Sequence, residues 1–249
     1  MNATPTISVV VPTYNRAHLL PRCLESLLAQ SRPPDQLLVV DDGSEDDTPQ
    51  VLRGYGDRIE WLRTENGGKS HALNLAMPRL RGEYVWIFDD DDLALPDALE
   101  RLVAVVQARP DAGVIYSSHH LQVADGPRVH KPLPEVDESD VFLRNLVQNF
   151  LQPGGMLVKL SCYREVGPFD VSLRRSEDFE MAQRLTRRFA CVALPGAPTF
   201  VYHQHGGKGG SDGEPDTIAR ERAWLSYDQT LVSRLVAELE LWELLPGRR

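Results

Sequence analysis

Four consecutive aspartates occupy positions 89–92, directly after the apolar run at 85–88. Carboxylates bunched at the end of a buried strand repel one another, and each raises the pKa of the next. A divalent cation removes this penalty, because Mg²⁺ and Mn²⁺ prefer carboxylate oxygens and often bind diphosphate oxygens as well. In an extended chain, alternate residues such as Asp89 and Asp91 can point to one side. The run favours a cation site; the alternative is a solvated turn in which Asp92 caps the next helix.

A second acidic pair, Asp41 and Asp42, follows another apolar run in the first half of the chain. Short apolar runs alternate there with helical patterns, which indicates a mostly parallel sheet covered on both faces. The predicted strands are 7–12, 36–44, 59–63, 84–88 and 113–118. Ligands of such sheets bind beyond the carboxyl ends of the strands. We therefore expect both acidic clusters at one edge of the sheet.

The helices between these strands are predicted from apolar spacing and end signals. Asn15 is a candidate N-cap for the first helix, and a helix over 96–108 would carry Pro96 in its first turn. The second half is less regular. It is predicted to contain a loop or weak hairpin at 126–139, a strand at 153–159, and helices at 140–150, 176–188 and within 217–245.

The motif GGKS at 67–70 is similar to the tail of a phosphate-binding P-loop, and WIFDD to the acidic strand of such NTPases. Arg63 stands where a P-loop needs its first glycine, and a simple turn at a helix start is the alternative. In both cases, Lys69 and the backbone amides at a helix N-terminus favour an anion.

Two further motifs have plain structural explanations beside functional ones. Acids in SEDFE at 176–180 suit the first turn of a helix, which Ser176 could cap. His203 and His205 lie two apart in YHQHGG, so both would face one side of a strand and could bind a metal. A lone histidine is more often structural.

Composition limits the possible partners. The 249 residues carry a net charge of −9, which disfavours nucleic-acid binding. The three cysteines form no CxxC pair, so a reducing cytosol is expected rather than a disulfide framework or a zinc site. The run at 7–11 is interpreted as a strand rather than a signal peptide, and no window is long enough for a transmembrane helix. We expect a cytoplasmic protein, with peripheral contact at the inner face of the membrane as the mode of any attachment.

Nine blocks in this order resemble the family 2 glycosyltransferases over about residues 5–205. They are VVVPTYNR (9–16), SLLAQ (26–30), VVDDGSEDDT (39–48), ENGGKSHALN (65–74), the aspartate run with Pro96, PGGMLVK (153–159), VGPFD (166–170), SEDFEMAQRL (176–185) and VYHQH (201–205). The resemblance implies an α/β fold of the GT-A type: a Rossmann-like, mostly parallel central sheet flanked by helices, with a small second sheet and C-terminal helices. It divides the chain into a nucleotide-sugar-binding half (1–118), an acceptor-binding half of the same domain (119–215) and a helical extension (216–249).

The resemblance also implies roles for individual residues. Pro12 and Tyr14 would line the base pocket, and Asp42 would bond the base. The remaining donor-side residues, near the ribose, diphosphate or metal, would be Asn66, Lys69, Asn74, Asp89 and Asp90. Asp91 and His205 would bind Mn²⁺ or Mg²⁺, and Asp178 would be the catalytic base. Gly154, Gly155 and Glu177 would lie on the acceptor side.

The implied reaction is inverting transfer of a sugar from a nucleotide-sugar, with UDP-sugars favoured, to a hydroxyl acceptor. A glycan, a lipid-linked molecule or a small molecule would serve as acceptor, in cell-surface polysaccharide or glycoconjugate synthesis. Asp90 replaces the small residue usual in the family's DxD motif, and His203 competes with His205 as metal ligand. The alternatives are a nucleotidyltransferase or NTPase, and a non-catalytic nucleotide-binding module. The C-terminal stripe of tryptophans and leucines suits core packing or a homodimer contact. Its polar face is acidic, which argues against a membrane-surface helix.

Overall fold

The computed structural model describes residues 4–204, 229–240 and 243. Within them, the strands are β1 (Ile7–Thr13), β2 (Gln36–Asp41), β3 (Glu60–Arg63), β4 (Tyr84–Ile87), β5 (Leu93–Ala94), β6 (Val114–Tyr116), β7 (His119–Val123), β8 (Arg128–Lys131), β9 (Met156–Lys159), β10 (Cys191–Ala193) and β11 (Phe200–Gln204). The helices are α1 (Leu20–Leu28), α2 (Thr48–Gly54), α3 (Lys69–Ala76), α4 (Ala98–Ala108), α5 (Val141–Gln148), α6 (Leu160–Val166) and α7 (Glu177–Arg188). Residues 229–238 are also helical.

The larger sheet has the strand order β10-β6-β9-β4-β1-β2-β3. Its strands pair in parallel except β9, which runs antiparallel to both β4 and β6. Every residue of β1, β2 and β4 is buried, as expected for strands that helices cover on both faces. The predicted mostly parallel sheet is confirmed.

Strand β4 shows how the two faces of this sheet are filled. Trp86 and Phe88 pack into one apolar cluster with α1 and α4, while Val85 and Ile87 pack into a second cluster with α3 and α7. Alternate side chains of a strand point to opposite faces. Each face of β4 therefore meets its own helical layer, which accounts for the unbroken apolar run in the sequence.

A smaller sheet has the order β5-β11-β7-β8. Strand β8 lies within the region predicted as a loop or weak hairpin (126–139), but it pairs with β7, which lies before that region. Strand β5 consists of two residues that pair with Phe200 and Val201 of β11. This pairing holds the chain extended just after the aspartate run, so the prediction of a helix from Pro96 is wrong by two residues and α4 begins at Ala98.

Of two predicted helix caps, Asn15 is wrong, and Ser176 is in place without the expected side-chain hydrogen bond. The N-cap of α1 is Leu19, and Asn15 instead lies in the loop after β1 with φ of 53°. Its side-chain oxygen accepts hydrogen bonds from the amides of Glu45 and Asp46 at 2.7 and 3.3 Å. Asn15 thus ties together the loops that follow β1 and β2. Ser176 occupies the N-cap position of α7 with φ of 57°, but it makes no side-chain capping hydrogen bond to that helix.

The C-terminal part of the described chain is joined to α7. Arg187 forms an ion pair with Glu243 at 2.7 Å, and Leu231 and Leu235 are buried. Among the described residues, none of the helices is both long enough and apolar enough to cross a membrane. The predicted homodimer contact at the C-terminal stripe remains a prediction.

Candidate active site

The carboxyl ends of β1, β2 and β4 meet at one edge of the larger sheet. Strand β1 pairs in parallel with β2 on one side and β4 on the other. The hydroxyl of Thr13, the last residue of β1, donates a hydrogen bond to Asp90 at 2.6 Å. Asp41 ends β2 opposite Thr13 in the register. Both acidic clusters therefore lie at the same edge, as the alternation of strands and helices predicts.

Each aspartate of the run has a different partner. Asp89 lies 2.6 Å from the ammonium group of Lys69, and Asp90 binds Thr13. Asp91 lies 4.0 Å from the Arg16 guanidinium, with a side chain that is 21% exposed. Asp92 is 1% exposed and accepts a hydrogen bond from the backbone amide of His203 at 2.9 Å. The interpretation of Asp92 as a helix cap is wrong, because its carboxylate holds β11.

The electrostatics of the run suit a cation. Burial, together with the charge of Asp91, raises the pKa of Asp90 to about 7. Burial, with the neighbouring charges of Asp89 and Asp91, raises the pKa of Asp92 well above its usual value. A divalent cation beside these oxygens would remove the repulsion. The residues present therefore fit Mn²⁺ or Mg²⁺, and the partly exposed Asp91 as the ligand stays a prediction.

The structure does not show a complete set of metal ligands. Within the described ranges, no three histidine, cysteine or acidic side chains come together in an arrangement that could hold a metal ion. His205 lies outside the described residues. His203 is buried, and its Nε2 accepts a hydrogen bond from Arg22 at 2.5 Å. That contact occupies Nε2 and brings a positive charge close to the ring, and the choice between His203 and His205 as the metal ligand stays open.

The glycine turn before α3 holds a side chain of the protein itself. The amides of Gly67 and Gly68 donate hydrogen bonds to the two carboxylate oxygens of Asp42 at 3.0 and 2.8 Å. His71 lies 3.9 Å from the same carboxylate. The P-loop interpretation is wrong, since these amides face an aspartate rather than an open cradle. The role of Asp42 towards a base stays a prediction.

The other predicted donor-side residues lie around the loops that follow β1 and β3. Pro12 is buried within β1, whereas Tyr14 is 39% exposed and Asn66 is also exposed. Asn74 has both ends of its amide engaged with the backbone of Phe169, as donor at 2.9 Å and as acceptor at 2.8 Å. These bonds give Asn74 a structural role. Its predicted contact with the donor stays a prediction.

The predicted base, Asp178, lies in the first turn of α7 and is partly exposed. Its carboxylate accepts a hydrogen bond from the amide of Phe179 at 2.8 Å. The neighbouring Glu177 is buried, and burial raises its pKa although the nearby Lys69 opposes the shift. Lys69 lies 3.5 Å from Glu177, so α7 is brought to the same place as the aspartate run.

The two glycines predicted on the acceptor side are packed tightly. A Cβ atom on Gly154 would lie 2.8 Å from the ring of Phe200, and one on Gly155 would lie 3.0 Å from the carbonyl oxygen of Ser117. Trp86 also donates a hydrogen bond to the Gly154 carbonyl at 2.9 Å. The structure explains why these positions are glycine. Their place beside an acceptor stays a prediction.

Three polar residues of the site were not identified from the sequence: Thr13, Arg16 and Arg22. Arg16 lies 3.9 Å from Asp90 and 4.0 Å from Asp91, and it is part of the block VVVPTYNR. A positively charged residue shortly after the first strand, where an acidic edge is expected, is the signal by which Arg16 could have been predicted as a site residue. Arg22 faces outward from α1 onto His203, a contact that needs the second half of the chain.

Comparison with known proteins places this geometry in a family. Residues 8–165 match the model of Glycosyl transferase family 2. An uncharacterized glycosyltransferase of Rickettsia typhi is 28% identical over 183 residues, which cover 72% of this chain and 58% of the relative. An uncharacterized protein of Sinorhizobium fredii is 35% identical over 191 residues, which cover 74% of this chain and 20% of the relative. The chain thus spans three fifths or less of these relatives.

Solved structures show the fold. TarS of S. aureus in complex with UDP-GlcNAc matches 96% of this chain and 68% of its own, with a TM-score of 0.74 and 20% identity. A mannosyltransferase of Pyrobaculum calidifontis in complex with GDP-Man and Mn²⁺ matches with a TM-score of 0.65 and 20% identity. The GT-A-like α/β fold is confirmed. With the match of the family model over most of the chain, these findings show that the protein belongs to glycosyl transferase family 2.

Proposed function

We propose that this protein is a metal-dependent, inverting glycosyltransferase that moves a sugar from a nucleotide-sugar to a hydroxyl acceptor. The observation that carries the proposal is the meeting of the aspartate run with α7. Lys69 lies 2.6 Å from Asp89 and 3.5 Å from Glu177, the residue before Asp178. The aspartates at 89–92, which would bind the cation of the donor, are therefore close to Asp178, which would accept a proton from the acceptor.

The donor side of this site is acidic at the place proposed for the diphosphate. A diphosphate would be repelled by the carboxylates at 89–92 unless a cation stood between them. Asp91 and His205 would hold Mn²⁺ or Mg²⁺, which would offset the charge that develops on the leaving diphosphate. The TarS complex with UDP-GlcNAc and the mannosyltransferase complex with GDP-Man and Mn²⁺ support a nucleotide-sugar donor and a metal. We favour a UDP-sugar.

The acceptor side depends on Asp178. Its carboxylate is partly exposed and is fixed by the amide of Phe179. From the first turn of α7 it would take the proton of an acceptor hydroxyl as the oxygen attacks the anomeric carbon. Attack opposite the leaving diphosphate inverts that carbon. The acceptor would be a glycan, a lipid-linked molecule or a small molecule, in the synthesis of cell-surface polysaccharide or glycoconjugate.

A thermal-shift panel tests the donor and the metal. UDP, GDP, dTDP, CDP and ATP would each be added with Mn²⁺, Mg²⁺ or EDTA, because a ligand that binds the native state raises the melting temperature. We expect a shift with one nucleoside diphosphate that EDTA abolishes. A shift with ATP alone would instead favour a nucleotidyltransferase or NTPase.

Turnover of the corresponding nucleotide-sugar then tests catalysis. Asp178→Asn should abolish transfer and leave nucleotide binding near normal. Asp97→Asn is the matched control, because Asp97 is an exposed aspartate at the N-terminus of another helix, α4. Transfer at the wild-type rate in Asp178→Asn would show that Asp178 is not the base. Nucleotide binding by the wild-type protein without any turnover would favour a non-catalytic module.

A further inference from the structure

The contacts of Lys69 connect three elements that are distant in the sequence. Lys69 is the first residue of α3, Asp89 follows β4, and Glu177 is the first residue of α7. We propose that Lys69 is a positioning residue: it fixes the first turn of α7, and with it Asp178, against the carboxyl end of β4. This inference rests on the role proposed above for Asp178. It gives Lys69 a task different from the donor contact that the family resemblance implies.

The helix that carries Lys69 is a firm support. Ala72, Leu73 and Ala76 of α3 are buried against the larger sheet. The paired hydrogen bonds between Asn74 and the backbone of Phe169 join the same helix to the chain segment that leads into α7. A side chain projecting from the start of α3 can therefore hold α7 in place.

The surroundings of Lys69 direct its ammonium group to the two carboxylates. Lys69 and Asp178 border a small cavity whose remaining lining is apolar and includes Leu73, Phe169 and Met181. An apolar wall gives an ammonium ion no hydrogen-bond acceptor. Burial would lower the pKa of Lys69, but the charges of Asp89 and Glu177 outweigh this effect and raise it well above its usual value. Lys69 therefore keeps its positive charge throughout the neutral pH range.

Glu177 depends on this contact more than an exposed acid would. Its side chain is 10% exposed, and that of Lys69 is 27% exposed. Removing the cation would leave a buried, uncompensated carboxylate, which is strongly unfavourable. Further along the same helix, Arg184 binds the carbonyls of Val166 and Pro168, so the middle of α7 has its own attachment. Loss of Lys69 should therefore disturb the first turn of α7 selectively.

Hydrogen exchange tests the positioning without any substrate. We expect Lys69→Met to speed exchange of the Glu180 amide by about tenfold, with a smaller change in the middle of the helix, because that amide closes the first turn of α7 on the Ser176 carbonyl at 2.9 Å. Lys69→Arg keeps the positive charge and should restore most of the protection. Lys131→Met, on the exposed strand β8, is the control and should leave α7 unchanged. Unchanged exchange at the start of α7 in Lys69→Met would overturn the proposal.

Kinetics with the donor found in the nucleotide panel give a second test. Lys69→Met should lower kcat by about 100-fold, as expected for misplacement of a catalytic group by about 1 Å, and change the donor KM by less than about threefold. Glu177→Gln should add little in the Lys69→Met background, since the two act as one unit. If Lys69→Met instead raises the donor KM, and if the effects of Lys69→Met and Glu177→Gln add up in the double variant, Lys69 contacts the donor. Exchange data are independent of turnover, so full activity of Asp178→Asn would refute the proposed base without deciding the role of Lys69.

Discussion

Asp92 accepts a hydrogen bond from the backbone amide of His203, a residue 111 positions further along the chain. The bond fastens β11 beside the aspartate run, next to the antiparallel pairing of β11 with β5. Strand β11 leads directly to His205, the predicted metal ligand. Asp92 therefore positions β11, the strand that would bring His205 close to Asp91 as a second metal ligand.

The first prediction concerns this bond. Asp92→Ala should destabilise the protein by about 1–3 kcal/mol, because it leaves a buried amide without its acceptor. Asp92→Asn keeps a carbonyl oxygen for that amide and should lie much closer to wild type. Urea unfolding of both variants measures the difference. Equal stability of the two would show that the hydrogen bond contributes little.

The second prediction separates Asp91 from Asp92. Asp91→Ala should abolish the metal-dependent thermal shift with the nucleoside diphosphate, while its unfolding in the absence of ligand changes by less than about 1 kcal/mol, because the side chain is partly exposed. Asp97→Asn serves again as the control. An unaltered dependence on Mn²⁺ or Mg²⁺ in Asp91→Ala would place the metal at another group.

The third prediction concerns pH and His119. Burial lowers the pKa of His119 to about 4, with smaller contributions from Lys131, His130 and His120. Its ring lies 5.3 Å from that of Phe200. In the unfolded chain His119 binds a proton near pH 6.5, whereas in the folded chain it does so only near pH 4. Between these two pH values the unfolded chain binds more protons than the folded chain. The free energy of unfolding therefore decreases as the pH falls from 6.5 to 4, by at most about 1.4 kcal/mol per pH unit.

Replacement of the ring isolates this effect from other titrating groups. His119→Phe keeps an aromatic ring and should lose less stability than wild type between pH 6.5 and 4, with no difference in slope above pH 7. Chemical unfolding at several pH values gives both curves. Parallel curves throughout would mean that His119 titrates normally in the folded protein.

The fourth prediction concerns close packing at Gly154. An added methyl group would press against the ring of Phe200, so Gly154→Ala should destabilise the protein by about 1–3 kcal/mol. Gly54→Ala is a matched control, because Gly54 lies at the end of α2 and an added Cβ would have no neighbour within 4 Å. The control should be neutral or slightly stabilising. Similar effects of the two substitutions would contradict the packing seen at Phe200.

The sequence predicts those features that depend on local pattern. The buried strands, the helices between them and the acidic edge follow from apolar spacing and from the rule that parallel strands end together. Asp89 and Asp42 could be named as site residues for this reason. Their partners could not, because Lys69 reaches Asp89 and the amides of Gly67 and Gly68 reach Asp42 only after the sheet has formed.

The errors have the same origin. The sequence after the aspartate run suggests a helix start at Pro96, but pairing with β11 keeps 93–94 extended. Asn15 has the residue type of a helix cap, yet the amides of the β2 loop take its side chain. In both cases a partner from a distant part of the chain outweighs a local preference, and no window of sequence contains that partner.

The position of β9 has a consequence for how the protein is made. Strand β9 lies between β4 and β6, so the first half of the chain has a gap in its sheet until residues 156–159 have been synthesised. Before then, β4 presents an unpaired edge, and its side chains, all buried in the folded protein, are exposed; such edges promote aggregation of incomplete chains. The sheet that begins in residues 1–118, the predicted nucleotide-sugar-binding half, therefore includes a central strand from the predicted acceptor-binding half. That strand, β9, can join β4 to β6 only after about two thirds of the chain has been synthesised.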